Sequence, residues 1–161
     1  MNAKVDGQRE RLAFLLETAR LEAEHLQGTD GRLFAVPFDA ERAATLRGDE
    51  ALAERLDAFV ARYSRLQDTA GDKLLPTLLA LIGDPVGSAL DNLERAARLG
   101  LLAGGSEDWL AARALRNRMV HEYVRRPGAL AEAVNAAHAA VPMLVNFVTA
   151  CEHYVRQRGL A

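Results

Sequence analysis

Residues 50–82 place apolar side chains at helical spacing, and no other stretch constrains the fold as strongly. Over residues 50–66, Leu52, Leu56, Phe59, Val60 and Tyr63 make one apolar stripe, the pattern of an amphipathic helix. The period continues to Ile82. A single helix of that length would measure about 50 Å, too long for a compact domain of this size. Gly71 and Pro76 offer places to bend or restart.

The flanking segments read the same way. Residues 8–25 form an amphipathic helix through Leu12, Leu15, Leu16, Ala19 and Ala23, ended by the run Gln27-Gly28-Thr29-Asp30-Gly31. Residues 33–38 are short, apolar and extended, the one strand-like piece, and Pro37 argues against a central strand. Asp39 is placed to cap a short helix over residues 40–46, ended by Gly48. After the break at residues 83–87, Ser88 caps a helix running to Leu99, and Gly100 suits the left-handed position that closes it. Ser106 caps a further helix with acids in its first turn, ended by Arg126-Pro127-Gly128. Residues 129–158 form a last long helix that Pro142 should kink. Ala and Leu dominate and aromatics reach only 6%, which favours helix. The expected fold is all-α, an up-and-down antiparallel bundle of five to six helices in one domain, residues 1–161.

A net charge of −2 argues against a protein coated in nucleic acid, though not against a local basic cleft. A lone cysteine, Cys151, cannot form an internal disulfide, so a reducing, cytoplasmic setting is expected. The N-terminus has no signal-peptide core, and no uninterrupted apolar run suggests a membrane span. The four histidines lack paired zinc-ligand spacing and no glycine-rich phosphate loop is present, so no metal or cofactor is expected.

The chemistry concentrates in Arg116-Asn117-Arg118-Met119-Val120-His121-Glu122-Tyr123. Between Arg113 and Arg126, five arginines (113, 116, 118, 125 and 126) accompany a single acid, Glu122. Arginine keeps its charge and its planar fork matches a phosphate. Histidine titrates nearest neutrality and can carry a proton either way. Arg113, Asn117 and His121 form an i, i+4 ladder on one face, while Leu115 and Met119 lie opposite and face the bundle. Arg116 and Tyr123 share an adjacent face. One helix does not bring these groups into a compact site, whereas two copies about a two-fold axis would. Taken alone, Arg, Asn and His along a solvated helix are also what an ordinary surface helix carries. On the earlier helix, Arg65, Asp68 and Asp72 share a face. They read as a surface ion-pair set, with Arg65 or Asp68 lining a cleft beside His121 as the alternative.

The spacing Arg116-Asn117-(three residues)-His121 resembles the R-x4-H signature of HEPN-domain ribonucleases. His121-Glu122-Tyr123 extends it to the R-x4-H-x-Y form of HepT-like toxins, which pair with a minimal nucleotidyltransferase (MNT) antitoxin. The stretch RYSRLQDTAGDKLLP (residues 62–76) and the segment from Asp91 to Gly100 are also similar to this group. The resemblance implies a HEPN bundle, a homodimer with both motifs in one cleft, and metal-independent endoribonuclease activity. His121 would move the proton of a ribose 2′-hydroxyl or of the leaving oxygen. Arg116 would bind the scissile phosphate, and Asn117 would orient His121 or the phosphate. Arg113, Arg118, Arg125 and Arg126 would hold flanking RNA phosphates. Tyr123 would accept AMP from the antitoxin, placing a bulky anion at the phosphate site. The alternative is a non-catalytic HEPN subunit that binds a nucleotidyltransferase partner.

Overall fold

The computed structural model describes residues 2–122 and 126–161. Among these the chain is helical, with no strand. Seven α-helices follow one another: α1 (Ala3–Leu33), α2 (Ala40–Ala44), α3 (Glu50–Gln67), α4 (Leu75–Leu81), α5 (Ala89–Arg98), α6 (Gly105–Glu122) and α7 (Pro127–Arg158). A 3-10 turn, Leu46–Gly48, precedes α3, and a π-helical segment, Asp68–Leu74, joins α3 to α4. One apolar core holds them together, built on Leu12 and Leu26 of α1, Phe59 and Tyr63 of α3, Leu78 of α4 and Leu144 of α7. The all-α expectation is met.

Helix α1 does not stop at Gln27. It runs through Gly28 and Gly31 because its buried stripe continues through Leu26, Thr29 and Leu33. Arg62 adds hydrogen bonds to the His25 carbonyl and to the Thr29 hydroxyl. Each internal glycine costs a helix about 1 kcal/mol, less than such burial returns. The segment after α1 is not a strand. Its carbonyls are taken by side chains: Arg42 donates to Leu33 and Val36, and Asn135 of α7 donates to Phe38. Asp39 caps α2 as expected, accepting from the Arg42 amide.

The path from Glu50 to Leu81 is helical throughout but not one α-helix: it changes to π geometry and restarts where a bend or restart was expected. Gly71 and Pro76 do mark the irregular part. Pro76 has no N–H to give the Asp72 carbonyl, so the α-helical pattern cannot pass through it unaltered. The chain answers with the wider π turns of residues 68–74 and resumes α geometry with proline in the first turn of α4. Compactness does not exclude rods this long. Helices α1 and α7, at 31 and 32 residues, are equally long, about 47 Å each.

Ser88 and Asp91 form a full capping box on α5. The Asp91 amide donates to the Ser88 hydroxyl at 3.1 Å and the Ser88 amide to the Asp91 carboxylate at 3.2 Å, which holds the Asp91 carboxyl below its ordinary range. Gly100, at φ 77°, takes the left-handed turn that ends α5. Pro127 opens α7, sitting in the first turn where its missing N–H costs nothing. Pro142 lies inside α7 without interrupting it. Among the described residues α7 is the one helix long and apolar enough to cross a membrane. Here eleven of its side chains are buried in the core.

Candidate functional site

The rotation of α6 about its axis decides what it shows to solvent, and three buried contacts fix that rotation. Trp109 is 3% exposed and meets Phe147 of α7 edge-on, with ring centroids 5.0 Å apart. It also lies against the bare Cα of Gly71: a Cβ there would stand 3.0 Å from the indole ring. Tyr63 of α3 donates its hydroxyl to the Ala112 carbonyl at 2.8 Å, and burial pushes the Tyr63 phenol up, so it stays a donor. Met119 is fully buried and Leu115 packs partly against the core, on the side expected of them.

With those contacts set, Arg113, Asn117, Arg118, Val120 and His121 are exposed, and Arg116 sits at the boundary. The ladder of Arg113, Asn117 and His121 is therefore open to solvent. Arg116 and His121 are five residues apart, about 140° around the axis, so one copy of α6 does not converge them on one small molecule. Tyr123 and Arg125 lie outside the described residues.

The π segment supplies what the local sequence of α6 lacks. Asp68 accepts from Arg116 Nη1 at 2.9 Å, and Asp72 lies 3.7 Å from Arg113 Nη2. Both pairs are about half exposed, with side-chain exposures of 40% and 43% for Arg116 and Asp68, and 46% and 45% for Arg113 and Asp72. Arg126 grips Glu122 through two nitrogens at 3.0 and 3.1 Å. The dense positive charge of this stretch is thus offset in space, with Arg118 forming no ion pair among the described residues. Asp68 and Asp72 direct their carboxylates across to α6 instead of pairing within their own helix. Arg65 is exposed and lies near Glu22, whose carboxylate it favours.

Behind this face is a polar layer that spacing alone did not reveal. Glu22 of α1 accepts from the Thr69 hydroxyl at 3.1 Å, and its second oxygen is buried with no partner among the described residues. Burial raises the Glu22 carboxyl above its ordinary value, against the opposing pull of Thr69, Arg65 and Lys73. Gln67, 3% exposed, keeps both amide atoms buried and unpartnered among the described residues. Residues 67, 68 and 69 thus present, in turn, a buried amide, the carboxylate holding Arg116 and the hydroxyl holding Glu22. A buried polar layer beside an irregular helix is characteristic of sites where evolution has spent stability.

The other histidines stand apart from α6. His138 hydrogen-bonds Asp30 at 2.7 Å and stacks on Phe34 at 3.9 Å, tying α7 to α1. His25 and His153 are exposed. Cys151 is fully buried and its thiol is pushed up by burial, so it is a packing residue. Among the described residues no group of three or more His, Cys, Asp or Glu side chains is placed to hold a metal ion. The side of α6 that faces the π segment carries the arginines, which can bind anions, and the exposed imidazole of His121, which can move a proton, lies further round the same helix. No protein-family model, no curated protein and no solved structure matches the chain.

Proposed function

We propose that the chain is a metal-independent endoribonuclease toxin of the HEPN/MNT type, acting as a homodimer on RNA and neutralised by a nucleotidyltransferase antitoxin. The observation that carries this reading is the disposition of Arg116 and His121. Arg116 is oriented by a carboxylate it can exchange, and His121 stands open to solvent one and a half turns further on. In this reading His121 takes the 2′-hydroxyl proton or protonates the leaving oxygen. Arg116 stabilises charge on the scissile phosphate. Asn117 orients one or the other from the same face as His121. Arg113, Arg118, Arg125 and Arg126 hold flanking phosphates, with affinity that falls as salt rises. The need for a 2′-hydroxyl restricts cleavage to RNA.

An up-and-down HEPN arrangement is supported by the order of contacts between α6 and the π segment. Trp109 meets Gly71 while Arg116 meets Asp68, so the two run in opposite directions. Pairing of two copies is supported by Val120, an apolar side chain 61% exposed between Asn117 and His121. A second copy covering Val120 would also supply the Arg or His that one helix cannot converge. Tyr123 is the proposed acceptor of AMP, and the added phosphate would compete for Arg116. The proposed location is the cytoplasm.

One observation favours a second reading. Arg113, Arg116 and Arg126 already have acidic partners, as expected of a non-catalytic HEPN subunit that binds a nucleotidyltransferase. Cleavage of RNA in EDTA by the purified chain, set beside His121→Ala, separates the two. A nuclease cuts and its His121 variant does not, whereas the subunit cuts in neither form.

A further inference from the structure

Asp68 and Asp72 are one helical turn apart on the π segment and face two arginines one turn apart on α6. Like charges at that spacing repel one another by a few tenths of a kcal/mol on an exposed helix. Arg113 and Arg116, lying against the pair, offset that repulsion. The two carboxylates stand against Arg113 and Arg116, so an anion bound by these arginines must compete with them. We propose that Asp68 and Asp72 are a resident phosphate mimic: they hold the arginines in binding geometry and are displaced when a polyphosphate backbone enters.

Three features make displacement cheap. Both pairs are about half exposed, so each contributes little to holding the fold. The Arg113–Asp72 contact, at 3.7 Å, is longer than a hydrogen bond and is held by charge alone. A carboxylate released from Arg116 has a second cation within reach, since Arg65 lies three residues before Asp68 on the same helical face. The arginines thus exchange one anion for another, and Asp68 keeps a cation within reach when it is released. The cost is selectivity against weak anions. A single small anion replaces one carboxylate and gains nothing, whereas a chain of phosphates replaces both.

This inference rests on the reading of α6 as an RNA-binding face, and its test is independent of cleavage. The probes are a ten-nucleotide 2′-O-methyl RNA, which cannot be cut through its 2′-oxygen, and inorganic tripolyphosphate. Binding is measured in EDTA at low salt for the wild type and for the pair D68N/D72N, in which each asparagine keeps an oxygen for the arginine but loses the charge. A charge-matched control, E10Q/E54Q, removes two exposed acids elsewhere. The expected result is binding of both probes about two- to thirty-fold tighter in D68N/D72N, unchanged affinity in the control, and loss of the gain when R113A/R116A is added. Thermal melts of each variant check that the π segment still folds. Equal or weaker binding by a folded D68N/D72N protein overturns the proposal, as does an equal gain in the control. Tighter binding without cleavage of ordinary RNA by a wild-type protein shown by mass to carry no AMP on Tyr123 leaves the proposal standing and removes the nuclease reading.

Discussion

Asp68 and Arg116 stand 48 residues apart in sequence and 2.9 Å apart in space. Their bond crosses from an irregular helical turn to the helix that carries the candidate chemistry. Because the pair is about half exposed, its worth to stability is small, about 0.2–1 kcal/mol. A double-mutant cycle with Asp68→Asn and Arg116→Gln should return a coupling in that range by chemical denaturation. The same Arg116→Gln change should lower RNA cleavage by about a hundredfold or more, as expected of a lost transition-state donor. A large stability coupling with unaltered cleavage would make the pair purely structural.

Gly71 allows Trp109 to close against the π segment, so a methyl group there must push the indole away. Gly71→Ala should destabilise the fold by about 1–3 kcal/mol through overpacking, read as a lower denaturation midpoint with an unchanged slope. Tyr63→Phe should cost about 1 kcal/mol by removing the hydroxyl that holds the Ala112 carbonyl. These two changes loosen α6 without touching its exposed face.

Glu22 gives the fold a pH dependence whose sign is opposite to that of most carboxylates. Burial raises its folded-state value, so the ionised form is disfavoured in the folded protein. The stabilisation it offers is complete below the unfolded value, about 4.3, and is lost as pH rises through the raised folded value. Glu22→Gln keeps an acceptor for Thr69 and removes the charge. It should raise the melting temperature at pH 7, and the advantage over wild type should vanish near pH 4. A variant less stable than wild type at pH 7 would mean that Arg65 and Lys73 outweigh the burial.

A shared cleft predicts complementation between inactive copies. In a two-fold dimer where each site takes Arg116 from one copy and His121 from the other, R116A and H121A chains mixed under exchange rebuild one intact site per mixed dimer. About a quarter of wild-type activity should return. No recovery, with subunit exchange shown by mass, would place both residues of a site on one chain.

The regular parts of the fold were legible because local chemistry determines them. Asp39 and Ser88 cap helices where an oxygen precedes an apolar run, Gly100 closes α5, and Met119 and Leu115 face inward by helical period. The misread parts are those where distant contacts override local preference. Gly28 lies inside the last turns of α1 because Thr29 and Leu33 are buried around it. The extended piece before Asp39 gives its carbonyls to Arg42 and Asn135, not to another strand. The candidate site follows the same rule. Arg116, Asn117 and His121 could be named from spacing, but the partners of Arg113 and Arg116 come from a π turn for which Gly71 and Pro76 were the sole sign.

The most direct test is cleavage of a defined RNA in EDTA by the purified chain, run beside His121→Ala. The account predicts cutting by the wild type, products ending in a cyclic or 3′ phosphate as expected of attack by a 2′-hydroxyl, and a rate at least a hundredfold lower in the variant. Absence of cutting by a wild-type protein whose Tyr123 is shown by mass to carry no AMP would contradict it. Equal cutting by both proteins would do so as well.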